Sequence, residues 1–364
     1  MLNPIAEIHL KHLRNNYNYI QSKVKDVKIM AVVKANAYGH GIVEVSKLLA
    51  KEGVHGFCVA LTQEVRELID SQIKNPILHL GRISPSELDV FESGQVRCTI
   101  NSFNDIKIIS DYANKKNISI ITHLKVDTGM GRLGVSIDDF NKVLREIKYC
   151  NNIIVEGVFS HFSTSEEDDV EYRNHQIEQF RKIVLKVKGL MPDVKYFHIA
   201  NSAAILTCSE SWFNMVRPGI SIYGVSPLGV PHKGLLPVMK MKAPISLLKN
   251  IKKDFPVGYG RQYVATKDEK IFIVQAGYAD GIPTVFSNKG KIEINNMLYS
   301  IIGKVSMDLI SVYDHIGEVK IEQDVVFWGS DLLRLEVLSK KYNKIPYEFL
   351  TGVSKRVKRE YVDA

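Results

Sequence analysis

Met30-Ala-Val-Val-Lys-Ala-Asn-Ala-Tyr-Gly-His-Gly41 is the stretch from which the rest of the chain can be read. A short apolar strand, Ile29 to Val33, ends on Lys34. A turn rich in small residues follows, and then the start of a helix. At the buried end of a strand a charge is costly and a neutral amine is not. Such a site favours an amine nucleophile able to form an imine with an aldehyde. On spacing alone, a lysine that merely snorkels out of a strand end explains the run equally well.

The same strand-then-helix rhythm recurs outward from this segment. Apolar runs rich in β-branched residues lie near 28–33, 54–60, 76–80, 96–100, 118–126, 153–159, 195–199 and 215–223. Amphipathic stretches separate them, among them Val43 to Lys51, Thr62 to Ser71, Phe103 to Lys115 and Asp139 to Tyr149. Strands alternating with helical patterns imply a parallel sheet, and eight such units predict a (β/α)8 TIM-like barrel over residues 1–235. After about residue 236 the rhythm changes. Ile245 to Ile251, Ile271 to Ala276, Lys291 to Ile294 and Asp324 to Trp328 sit among glycine and proline turns, with no long helical stretch until Leu332 to Lys341. Residues 236–364 therefore read as a smaller, mainly β C-terminal domain.

Composition narrows the class. With 364 residues, 45% hydrophobic and 24% charged, the chain suits one large and one smaller globular domain. The start, Met1-Leu-Asn-Pro-Ile-Ala-Glu-Ile-His9, lacks a basic region followed by an apolar core, and no apolar run is long enough to span a bilayer. A cytoplasmic protein without membrane contact is expected. Cys58, Cys98, Cys150 and Cys208 are scattered, show no metal spacing and read as reduced structural residues. The net charge of +8 is spread along the chain apart from Lys355-Arg-Val-Lys-Arg359, so a nucleic-acid partner is not expected.

Taken whole, the Lys34 segment resembles the cofactor-lysine segment of bacterial alanine racemases, which are fold-type III pyridoxal-phosphate enzymes. Further segments follow in that family's order: Lys125-Val-Asp-Thr-Gly-Met-Gly-Arg-Leu-Gly134, Ser160-His-Phe162, His198-Ile-Ala-Asn-Ser-Ala-Ala204 and Val216-Arg-Pro-Gly-Ile-Ser-Ile-Tyr-Gly224. Beyond them come Val257-Gly-Tyr-Gly260, Ala276-Gly-Tyr-Ala-Asp-Gly281 and Gly303-Lys-Val-Ser-Met-Asp308. Each is weak alone; together they span the chain from near its start to its last third.

The resemblance implies a set of roles. Lys34 carries pyridoxal 5'-phosphate as a Schiff base and serves as the base on one face of the substrate α-carbon. Tyr259, supplied by the partner of a homodimer with shared active sites, serves the other face. Free tyrosine titrates near a pKa of about 10, and His161, with Arg217 and His198 behind it, is the implied help. Arg217 faces the pyridine nitrogen; because it keeps its proton, it leaves that nitrogen unprotonated and disfavours side reactions. Tyr38, Asn201, Ser202, Gly219 and Ile220 hold the phosphate, where barrels commonly bind one. Arg132 forks onto the substrate carboxylate, and Lys125 matches a lysine carbamylated in many relatives. Tyr278, Met307 and Asp308 match residues that the partner places at the substrate mouth.

The implied reaction is interconversion of L- and D-alanine, supplying D-alanine for the bacterial cell wall. Two positions depart from the family pattern. Ser306 stands where cysteine is common, and Lys355 stands where many relatives carry tyrosine beside the phosphate and the substrate side chain. Lys355 leaves open an amino-acid racemase of shifted specificity, serine for instance. A decarboxylase of this fold and a non-catalytic cofactor carrier are the other rivals. The Gly-Tyr-Gly and Gly-Tyr-Ala-Asp-Gly segments argue against the first, and the β domain bearing Tyr259 against the second.

Overall fold

A computed structural model describes residues 3–167 and 169–363. The chain divides into two compact units, one comprising Asn16–Ala37 and Ile42–Ile222, the other the described residues of Met1–Asn15, Tyr38–Gly41 and Tyr223–Ala364. It opens with β1 (Ile5–His9) and α1 (Leu10–Val24).

The first unit is a parallel barrel. Its strands are β2 (Lys28–Val32), β3 (Gly56–Val59), β4 (Ile77–His79), β5 (Val96–Ile100), β6 (Ile120–Lys125), β7 (Ile153–Phe159), β8 (Tyr196–His198) and β9 (Met215–Val216). Each pairs with the next in chain order up to β8, and β9 returns to β2 with Lys28 opposite Met215. Two backbone bonds carry the ring from β8 to β9: Asn214 N–H to Phe197 O at 3.4 Å and Arg217 N–H to Ala200 O at 3.0 Å. β2, β3 and β4 are buried on almost every residue, as strands covered on both faces must be. The helices α2 (Ile42–Lys51), α3 (Thr62–Asp70), α4 (Phe103–Lys116), α5 (Phe140–Lys148), α6 (Val170–Leu190) and α7 (Ser202–Thr207) cover it. In α5, Phe140, Val143, Leu144 and Ile147 are buried, the i, i+3, i+4, i+7 spacing of one helical face. The eight strands and their intervening helices bear out the (β/α)8 reading.

The second unit is mainly β, also as read. β10 (Met239–Ile251), β13 (Glu269–Val274), β14 (Lys291–Ile294), β15 (Met297–Ile302), β16 (Ile310–Asp314) and β17 (Asp324–Trp328) pair antiparallel in the order 13-16-15-14-17-10. β10 then reaches β13 as well, with a register shift between Ile245 and Leu247 that lets one long strand serve both neighbours. β11 (Pro256–Val257) and β12 (Tyr263–Val264) form a separate hairpin, packed on a small core of Ile251, Val257, Ala265, Ile271 and Ile302. The helices are α8 (Leu335–Tyr342) and α9 (Pro346–Thr351), and the last strand is β18 (Lys358–Val362).

β1 belongs to this sheet and not to the barrel. It runs antiparallel to β10 (Ile5 opposite Lys242) and parallel to β18 (Ile5 opposite Lys358), whereas the reading from sequence counted residues 1–235 together. The physical reason is visible in its burial, which alternates residue by residue. That is the signature of a half-exposed sheet rather than of a barrel strand.

Candidate active site

Lys34 follows β2 at the C-terminal end of the barrel. Two backbone bonds peg the strand end beneath it: Val32 N–H to Pro218 O and Val33 N–H to Cys58 O, both 2.9 Å. Ala35, Asn36 and Ala37 then adopt φ/ψ of 53/51, 54/47 and 51/52, and Tyr38 has φ +51. Four consecutive L-residues thus wind left-handed, a conformation that normally admits single residues only. Hydrogen bonds hold the turn in place. Ala37 N–H reaches Val33 O at 2.8 Å, Asn36 Oδ1 accepts Ile42 N–H at 2.9 Å, and Ala35 N–H reaches Glu64 Oε1 at 2.5 Å. Glu64 Oε2 also accepts from Ala60 (2.8 Å) and Leu61 (3.1 Å). One carboxylate at the start of α3 therefore clamps the residue next to Lys34. Burial, then the charge of Arg132, pulls the Lys34 pKa down.

Arg217 follows β9 and is held through both of its terminal nitrogens. Its Nη1 donates to His198 Nδ1 and, at 3.1 Å, to His198 O; its Nη2 donates to Ser160 O at 2.7 Å. The guanidinium lies 5.1 Å from the centre of the Phe159 ring, and His198 stacks on that ring at 4.9 Å. Burial pushes the Arg217 pKa down to about 10, which leaves it charged at neutral pH.

Lys125 ends β6, and its Nζ lies 5.7 Å from the same Phe159 ring. Burial, with Arg132 and Arg217 nearby, brings its pKa to about 8. The loop beyond turns on Asp127, whose Oδ1 accepts from Gly129 (2.9 Å) and Met130 (2.7 Å) and whose Oδ2 accepts from Arg132 N–H (3.1 Å). It is closed by Val135 N–H to Lys125 O at 2.8 Å. Arg132 is left exposed on a tightly built loop. His161, after β7, is held well below its usual pKa by burial and by Arg217, Arg132, Lys125 and Lys34, so it is neutral. The carbonyl of His161 accepts from Gln176 at 3.1 Å.

Asn201 caps α7, accepting from Ala204 N–H at 3.1 Å and exchanging hydrogen bonds with Ser165. The hydroxyl of Ser202 accepts the amides of Gly219 (2.9 Å) and Ser221 (3.3 Å). The amide of Gly219 is thus already committed to Ser202, and Ile220 is buried between those two residues.

The remaining sequence candidates lie in the other unit. Tyr38 packs on Tyr223 (4.9 Å between rings) and Tyr347 (5.8 Å). Tyr259 stands between two glycines of positive φ, Gly258 and Gly260, and is 71% exposed. Tyr278 and Met307 are also exposed, and their loops are knitted together by Tyr278 N–H to Ser306 O and Ala279 N–H to Met307 O, both 3.0 Å. Asp308 accepts from Arg356 at 2.7 Å, and the same guanidinium grips the buried Asp280 with two bonds of 2.7 and 2.9 Å. Lys355, beside it, is exposed.

The barrel thus gathers Lys34, Lys125, Arg132, His161 and Arg217 at the C-terminal ends of its strands, where barrel active sites lie. The family description "Alanine racemase, N-terminal domain" matches residues 8–227, and "Alanine racemase, C-terminal domain" matches residues 238–361. The chain belongs to the alanine racemase family. An alanine racemase of Carboxydothermus hydrogenoformans is 36% identical over 366 residues, covering 98% of this chain and 99% of that protein. The alanine racemase structure from Clostridium difficile 630 superposes with a TM-score of 0.91 at 32% identity, covering 100% of this chain and 96% of that one. The alanine racemase of Bartonella henselae, solved with covalently bound pyridoxal phosphate, gives 0.90 at 31% identity and covers 99% of both chains.

Sequence reasoning missed Glu64, Phe159 and Arg356. Only the first left a signal, an acidic residue in the first turn of a helix that follows a barrel strand.

Proposed function

We propose that this protein is a pyridoxal-phosphate-dependent alanine racemase that works by two bases. The observation that carries the reading is Lys34, an amine whose pKa burial lowers, in the same barrel end as an Arg217 locked by His198 and Ser160. The donor set fits the cofactor. It offers an amine for an aldehyde, a fixed guanidinium for a ring nitrogen, and for a phosphate the hydroxyl proton of Ser202, whose oxygen accepts from Gly219 and Ser221 and so shapes the backbone turn around Ile220. Asn201 orders this last group as the cap of α7, and the phosphate-binding role of Tyr38 is proposed from the family resemblance alone.

Pyridoxal phosphate, when bound, supplies an electron sink that acidifies the α-C–H of an attached amino acid. The chain's residues do the rest. Lys34 Nζ would hold the cofactor, and as a free amine it would take or return the α-proton on one face. Tyr259 of a second copy of this chain serves the opposite face through its hydroxyl, which His161 assists. Arg132 binds the substrate carboxylate as a fork. Lys125, with its pKa near 8, has the neutral amine fraction that carbamylation requires, and the resulting anion would orient Arg132. Tyr278, Met307 and Asp308 line the mouth from the second copy; the exposure of Tyr259, Tyr278 and Met307 supports a homodimer in which they are covered. The product serves cell-wall synthesis in the cytoplasm. Lys355 favours a second reading in which serine is also accepted.

Borohydride reduction of the loaded protein followed by peptide mapping tests the cofactor link, and polarimetry on L-alanine and L-serine tests the reaction. A label on Lys34 with loss of rotation from alanine is expected. A label on another lysine, or an unchanged rotation with both amino acids, overturns the proposal.

A further inference from the structure

A chain of buried polar groups runs from Arg217 through the barrel interior. His198 Nδ1 meets Arg217, and His198 Nε2 meets His123 Nδ1 at 2.9 Å. His123 Nε2 lies 3.6 Å from Glu156 Oε2, and Glu156 is gripped by Arg97 through bonds of 2.7 and 3.1 Å. Both imidazoles are essentially buried, whereas Glu156 and Arg97 are 12% and 13% exposed.

The direction of every proton in this chain follows from its two ends. Arginine only donates, so His198 Nδ1 accepts and its single proton sits on Nε2. That proton is donated to His123 Nδ1, which places the His123 proton on Nε2, facing Glu156. Starting from the carboxylate gives the same answer, since an acceptor-only group favours N–H on the imidazole nitrogen nearest to it. Had Glu156 been a donor, the two ends would conflict and two N–H groups would face each other within the barrel.

The backbone is shaped to permit this arrangement. Thr122 pairs with Val155 and His123 with Gly157, so Glu156 is the extra residue of a bulge in β7, a device that re-aims a side chain. A Cβ on Gly157 would come within 2.6 Å of the His123 ring, so that position must be bare for the imidazole to lie there.

We propose that Glu156 is a positioning residue: through His123 and His198 it fixes the tautomer that presents an acceptor to Arg217, and so holds the direction in which Arg217 donates. The catalytic consequence rests on the proposed placement of Arg217 against the cofactor ring; the proton positions do not.

Histidine side-chain nitrogen-15 spectra of the loaded enzyme read those positions directly. Neutral imidazoles protonated on Nε2 are expected at both His123 and His198. Protonation of either residue on Nδ1 overturns the proposal without any variant being made. In Glu156→Leu, His123 should gain the Nδ1–H form and kcat should fall roughly tenfold with little change in KM, as for one misdirected hydrogen bond. Glu156→Gln, which keeps an oxygen able to accept, should restore the wild-type tautomers and most of kcat. Wild-type tautomers in Glu156→Leu overturn the proposal. Should Glu156→Leu fail to fold, Glu156→Gln and the wild-type spectrum still decide it. If the spectra are as expected but alanine is not racemised, the functional reading fails and the tautomer assignment stands.

Discussion

Ala35→Gly tests whether the turn after Lys34 stores strain. An L-residue wound left-handed costs about 1–2 kcal/mol, so the four residues from Ala35 to Tyr38 together hold about 4–8 kcal/mol that their surroundings must offset. Ala35 is exposed, so removing its methyl opens no cavity. Glycine relieves the strain at that position but loses about 0.5–1 kcal/mol more conformational entropy on folding. The net expectation is a stabilisation of about 0.5–1 kcal/mol, or about 1–4 °C for a unit of this size. Lys182→Gly, in the exposed middle of right-handed α6, is the control and should destabilise by about 1 kcal/mol. Chemical denaturation of the three proteins reads both signs. Activity should move the other way, because a glycine beside Lys34 loosens the placement of its amine. If Ala35→Gly destabilises as much as Lys182→Gly, the turn is not strained and the reasoning fails.

Glu64→Gln keeps size but replaces one acceptor oxygen with a donor, leaving an amide of Ala35, Ala60 or Leu61 unmatched; a loss of about 1–3 kcal/mol and reduced turnover are expected, and an unchanged denaturation midpoint argues against the clamp. Lys125 titrates near pH 8 when folded against an ordinary 10.5, so between those values the unfolded chain binds more protons and stability rises with pH. In carbon-dioxide-free buffer Lys125→Met should therefore be the more stable protein below about pH 8, with the gap closing toward pH 10.5; a variant less stable at pH 7 contradicts the burial argument. Mixing inactive Lys34→Ala with inactive Tyr259→Phe should restore activity as subunits exchange, because one site of each mixed dimer carries neither lesion. Mixed dimers that form and stay inactive would place Tyr259 outside a shared site.

The barrel was legible because its strands are mostly buried and read as short, predominantly apolar runs between helical patterns; 96–100 and 153–159 match β5 and β7 residue for residue, although each carries one charged residue. The last run, 215–223, shrinks to Met215–Val216 because Pro218 has no N–H to give a ladder. β1 was misplaced because five alternating residues say nothing about which sheet they join. Lys34 at a strand end was visible, but its left-handed turn was not, since Ala-Asn-Ala-Tyr contains no glycine to announce it. The contacts of Glu64 with Ala35 and of Glu156 with His123 and Arg97 cross between βα units, and no local period records such meetings. Arg356 was read only as one member of a basic cluster, because its partners Asp280 and Asp308 lie far upstream.

The gathering of Lys34, Lys125, Arg132 and Arg217 at one barrel end has a consequence for whatever amino acid arrives there. A free amino acid in water carries an ammonium group, which is not a nucleophile until it loses a proton. The burial and, after it, the positive charge that pull Lys34 and Lys125 toward neutrality also disfavour an ammonium brought to the same place. While the carboxylate is drawn in, the amine is pressed to shed its proton to solvent. The same surroundings that favour the neutral form of Lys34 thereby favour the nucleophilic form of the incoming amine.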